Sequence, residues 1–200
     1  MSRFTDDNFG LTWLMSSFHA DWSSYAESEA EAVEKSLWDG LDPRHVMLLR
    51  RDAVRLLERL PAASVERLWE SGVEVSEFFG RRVQSGEQWM RLIIQRCDAW
   101  LLRGECVSLS EVDQDDGFGN SDTVLNELGR SIDILGSDLV SDLEKCARYC
   151  SPDLAFRFLL QALECRGEKI ARPRYERLEG IGSVLRYGEF LVSKLDYLVD

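Results

Sequence analysis

Two hundred residues with 44% hydrophobic residues, six Trp and 30% charged residues can bury a sizeable core, which excludes a globally disordered chain. The formal net charge of −12 repels phosphate backbones and argues against direct nucleic-acid binding. No apolar run reaches the roughly 20 residues of a bilayer span, and MSRFTDDNFG lacks a secretory-leader pattern, so a cytosolic protein without a membrane anchor is expected.

The spacing predicts a short helix over 8–18, with Asn8 as cap and Leu11, Leu14, Met15 and Phe18 on one face. Ser28 followed by Glu31 fits a capping box, opening a helix to about Trp38 with Gly40 beyond its end. Asp42-Pro43 starts the clearest helix: Asp42 can cap, and Pro43 suits the first turn, where no amide donor is needed. Val46, Leu49, Ala53, Leu56, Leu57 and Leu60 keep its period, Arg50, Arg51, Arg55 and Arg59 fill the other side, and Pro61 stops it. A short helix follows Ser64 through Leu68 and Trp69 to Gly72, and residues 73–84 fit either one turn or a short extended piece. Ser85 caps a helix from Gly86 to Leu102, with Trp89, Ile93, Cys97 and Trp100 in phase.

Residues 104–120 contain acids, glycines and few apolar residues, and read as an acidic connector between domains at 1–103 and 121–200. Helical patterns resume over 122–135 and 138–150. Ser151-Pro152-Asp153 then opens a helix apolar nearly all round, the expected centre of the second half. Pro173 starts another, and Leu191, Leu195 and Leu198 suggest a final helix. No stretch alternates with period two long enough to demand a sheet, so the fold class is all-α, a multi-helix bundle of two packed helical halves.

The excess acid lies in two blocks. Residues 1–50 hold 4 Lys/Arg and 9 Asp/Glu, residues 101–150 hold 4 and 11, and the other two quarters balance. Glu105, Glu111, Asp113, Asp115, Asp116 and the neighbouring Phe118 are therefore the candidate contact patch for a cationic partner, the alternative being a hydrated linker. Asp113-x-Asp115-Asp116-Gly117 echoes a calcium loop, but the chelating order and the closing glutamate are missing. Five cysteines, an odd number without a Cys-x-x-Cys pair, read as reduced thiols. His19 and His45 offer no metal-ligand spacing, and no nucleophile motif accompanies His19 and Asp21. The glutamates at 27, 29, 31 and 34 lack a partner motif that would make them a Mg²⁺-dependent site. No catalytic residue, metal or cofactor is expected.

Leu11-Thr12-Trp13-Leu14-Met15 leads into Phe18-His19-x-Asp21-Trp22, followed by an acidic helix, the paired Leu56-Leu57 and Gly86-Glu87-Gln88-Trp89-Met90. This half of the chain resembles contact-dependent growth inhibition immunity proteins, which tend to show an aromatic-His-x-Asp-Trp string. In that family the string belongs to the scaffold, so His19, Asp21 and Trp22 are expected to be structural. The second half, with Leu159–Leu163 and Tyr175-Glu176-Arg177-Leu178, is loosely similar to other small helical immunity proteins of modular toxin systems. The resemblance implies a non-enzymatic protein that neutralises a cognate toxin domain by stoichiometric occlusion. The toxin domain would be basic, and if it is a nuclease the acids would mimic phosphate. A helical adaptor or regulatory scaffold without a toxin partner is the competing reading.

Overall fold

The computed structural model describes residues 2–75, 77–104 and 107–200. The fold is all-α: about 65% of the chain is helical, in 12 α-helices among the described residues, with no strand among them. Two isolated parallel bridges join Phe79 to Val83 and Ile170 to Val199. The chain divides into two compact units, Phe9–Leu109 on the one hand and residues 2–8 with Ser110–Asp200 on the other. Among the described residues no helix is long and apolar enough to cross a membrane.

In the unit Phe9–Leu109, α1 (Gly10–Met15), α2 (Glu29–Ser36), α3 (Pro43–Arg59), α4 (Ala62–Glu70) and α5 (Gly86–Leu101) surround one core. Their starts follow local chemistry. Ser28, Asp42 and Ser85 each accept a backbone N–H of the first turn, from Glu31, Arg44 and Gln88 respectively. Glu31 completes a capping arrangement by accepting the Glu27 N–H at 2.7 Å. Most of each predicted stripe is buried: Val46, Leu49, Ala53 and Leu56 of α3, and Trp89, Met90, Ile93 and Cys97 of α5, while Leu57 and Trp100, expected in the same stripes, are half-buried. Burial pushes the Cys97 thiol up to about 12, which leaves almost no thiolate to react.

The start of α1 differs from expectation. Phe9, extended at φ −148°, stands at the cap position in place of Asn8, and its side chain makes no cap bond. The carboxylate of Asp52, a buried residue midway along α3, accepts the Leu11 N–H at 3.0 Å. A buried acid inside a helix thus answers one of the open donors of another, which local capping rules cannot foresee.

In the second unit, α10 (Pro152–Arg166) is buried on every side from Pro152 to Leu163, as a central helix must be. Against it pack α7 (Ser121–Gly129), α8 (Ile132–Leu135), α9 (Ser137–Lys145) and a π-turn at Cys146–Cys150. The segment 122–135 is two helices because the chain turns at Arg130-Ser131, where the Ser131 hydroxyl donates to the Glu127 carbonyl at 2.8 Å. The remaining helices are α6 (Glu111–Gln114), α11 (Arg172–Val184) and α12 (Phe190–Ser193). The expected last helix is only α12 and a 3₁₀ turn at Asp196–Leu198.

The domain limits also differ from 1–103, 104–120 and 121–200. The division falls at Leu109/Ser110, and the acidic stretch from Ser110 onward belongs to the second unit. Residues 2–8 join that unit because Arg3 is sealed within it: the guanidinium donates to the carbonyls of Leu185, Asp113 and Asp115 and to the Asp153 carboxylate. The Phe4 N–H donates to Asp113 Oδ1 at 3.0 Å, and Gly188 lies so near Asp6 that a Cβ there would come within 2.3 Å of its Cα.

Candidate functional site

The His19-Asp21-Trp22 string follows the end of α1. Its neighbour Phe18 is fully buried and meets Trp22, Trp69, Phe78 and Trp89 at ring centroid distances of 5.5 to 5.6 Å. Trp22 is buried too, and the Arg82 guanidinium caps its ring at 5.2 Å. His19 is exposed and stands 5.9 Å from the Tyr25 ring; its Nδ1 accepts the Asp21 N–H at 3.2 Å. These contacts make a turn and an aromatic core.

The acidic patch is dispersed by folding. Glu105 lies outside the described residues. Asp113, expected at a contact surface, is only 2% exposed. Its carboxylate accepts the Phe4 N–H and, at 2.6 Å, the Ser110 hydroxyl, while Ser110 caps α6 in return. The unmade hydrogen bonds of a dry carboxylate would cost several kcal/mol, by order of magnitude, so these donors fix it indoors. Asp115 is exposed, and its Oδ1 accepts the Gly117 N–H at 2.9 Å. The Asp116 carbonyl accepts from the Asp153 N–H and the Ser151 hydroxyl, which places this loop over the start of α10. Glu111 and Phe118 remain on the surface, Phe118 at 52% exposure. Of the expected contact residues, then, Glu111, Asp115 and Phe118 are available to a partner, Asp116 is half-buried and Asp113 is not available. Among the described residues no group of His, Cys, Asp and Glu could hold a metal ion.

A different surface has the build of a binding site. Trp38, just past α2, is 54% exposed. Trp13 of α1 stands 6.5 Å away and itself lies 5.5 Å from the His45 ring of α3. The Trp100 indole N–H of α5 donates to the Trp38 carbonyl at 3.3 Å. The ring also lies against Gly40, where a Cβ would come within 3.3 Å of the indole nitrogen. Beside this shelf is a recess of about 220 Å³, with Leu37, Ala99 and Trp100 supplying carbon and Glu34, Arg96 and Arg103 supplying charge. Glu34 and Arg96 pair at 2.9 Å. Position alone hid the shelf: Trp38 and Trp100 end predicted helices, and periodicity assigns Trp100 to the buried stripe. A clue lay in the sequence all the same, since Trp38 lies outside the apolar phase of its helix and is followed by Asp39-Gly40.

The second unit has an open groove of about 370 Å³ along α7 and α11. Beneath it, Glu127 is 3% exposed and is held by Arg177 at 2.9 Å and Arg174 at 3.3 Å. Burial pulls the Arg174 guanidinium below its usual value, against the pull of Glu127. No family model, no curated protein and no solved structure matches the chain.

Proposed function

We propose that the chain is an immunity protein, which binds the cognate toxin domain of a bacterial contact-dependent or other polymorphic toxin system and neutralises it by stoichiometric occlusion. The observation that carries this reading is the Trp38 shelf. A half-exposed indole set beside Trp13 and Gly40, on a backbone carbonyl held by the Trp100 N–H, pays little ordering entropy when a partner covers it. Tryptophan and arginine set round a small recess are what binding hot spots are made of. The aromatic-His-x-Asp-Trp string and the acidic surplus support the same reading, the surplus by steering a basic toxin domain toward the surface. In this reading the protein acts in the cytoplasm and its side chains bind without reacting.

The test is growth rescue. The toxin domain that this reading expects in a neighbouring gene is expressed from an inducible promoter, with and without the chain. Wild-type chain restores growth and Trp38→Ala does so poorly at matched protein levels. Equal rescue by both would remove the shelf from the account, and no rescue by either would remove the function.

A further inference from the structure

We propose that the groove between α7 and α11 binds an acidic peptide segment, one that presents a carboxylate beside an aliphatic side chain. The unit that holds the groove carries 12 Lys/Arg against 20 Asp/Glu, a net of −8. The groove departs from that background, with Arg130 and Arg177 at its wall and Arg174 bound to the Glu127 beneath. Glu127 is the one acid among its lining residues.

The two lining arginines differ in what they leave open. Arg177 is committed: its Nε and Nη2 donate to Glu127 and its Nη1 to the Pro173 carbonyl. Arg130 is exposed, and among the described residues no ion pair or side-chain hydrogen bond answers it. Its planar fork can take a carboxylate in two parallel bonds.

The rest of the lining is carbon and amide. Ile181 and Val184 of α11 give an aliphatic strip, with Val184 49% exposed, and Asn126 stands on the α7 side. Gly180 keeps the groove open, since a Cβ built there meets nothing within 4 Å. A carboxylate on Arg130 with a neighbouring aliphatic chain on Val184 satisfies both features at once. The unit's net negative field acts on every phosphate of a polyanion such as nucleic acid, which one arginine cannot offset, whereas the peptide brings a single carboxylate to it.

The test is a titration of the ¹⁵N-labelled full chain, followed by amide NMR, with the capped peptides acetyl-Leu-Glu-Leu-Leu-amide and acetyl-Leu-Gln-Leu-Leu-amide. The glutamate peptide is expected to shift the Gly180 and Asn126 signals and to bind about tenfold more tightly than the glutamine peptide, as a charged hydrogen-bonded pair allows. Arg130→Gln should remove that preference. Gly180→Leu fills the open space on a helix that favours the change, so the fold is kept while shifts at Asn126 are lost. Equal binding of the two peptides, no shift at Gly180 at millimolar peptide, or undiminished binding to Gly180→Leu would each overturn the proposal. So would inorganic phosphate reproducing the shifts and displacing the peptide, which would reduce the groove to a simple anion site.

Discussion

Arg3 and Asp153 meet at 3.0 Å with side chains 1% and 0% exposed, although 150 positions separate them in the chain. Asp153 also holds Arg157 at 3.0 Å, and its carbonyl accepts the Tyr187 hydroxyl. An N-terminal arginine is thus part of the interior of the unit that begins at Ser110. Arg3→Met should cost about 3–5 kcal/mol, the usual penalty for stripping one partner from a buried ion pair. The location of the loss can be read directly. All six Trp fall within Phe9–Leu109, so their fluorescence follows that unit, whereas far-UV circular dichroism follows both. In urea, the dichroism midpoint of Arg3→Met should fall far more than the fluorescence midpoint.

Gly188→Ala tests the same N-terminal segment by sterics. The added Cβ would come within 2.3 Å of the Asp6 Cα, a backbone atom that cannot swing aside. Displacement of residues 2–8 should follow, at a cost of about 1–3 kcal/mol as for other overpacked sites. Gly180→Ala, on the same unit but facing open space, is the control and should be neutral or slightly stabilising in a melt.

Acid should weaken the cap of α3. The Arg44 side-chain hydrogen bond, first among the causes, holds the Asp42 carboxyl below its ordinary value of 3.8. A carboxyl lowered by folding contributes stability that is fully present above the ordinary value and is lost as pH falls through the folded one. The stability gap between wild type and Asp42→Asn should therefore be open at neutral pH and close as the solution is taken below about pH 4, in urea melts at each pH.

Base should weaken the second unit in the opposite sense. Burial raises the Tyr187 phenol well above 10.0. A phenol raised by folding leaves stability intact below 10.0 and costs it as pH rises beyond, because only the unfolded chain ionises readily. Tyr187→Phe should lose about 1 kcal/mol at neutral pH with its hydrogen bond to Asp153, yet show a shallower decline in alkali.

What could be read in advance was what is settled within a few residues. Ser28, Asp42, Ser85 and Ser151 all cap the helices that their neighbours announce. The apolar period located α3, α5 and α10 because one face of each, or every face of α10, is buried. Asp52, Asp113 and Glu127 were not legible as interior residues. Each is a carboxylate with a donor from a distant position, Leu11, Phe4 and Arg177 respectively. Charge density along the chain therefore pointed to a contact patch at 105–118, whereas folding turns the Asp113 carboxylate inward onto the Phe4 N–H, and backbone carbonyls of the same stretch hold Arg3 and the start of α10. The Trp38 shelf escaped for a related reason: its three tryptophans lie at positions 13, 38 and 100, and only the fold brings them together.

The most direct measurement of the central claim is titration calorimetry of the chain against a purified toxin domain of the kind proposed, taken from the gene's neighbourhood. One-to-one binding is expected, with an on-rate in parallel stopped-flow runs that falls as salt rises. Trp38→Ala should weaken the complex by about 2 kcal/mol or more, roughly thirtyfold. Absence of binding heat, or the same affinity with alanine at position 38, would contradict it.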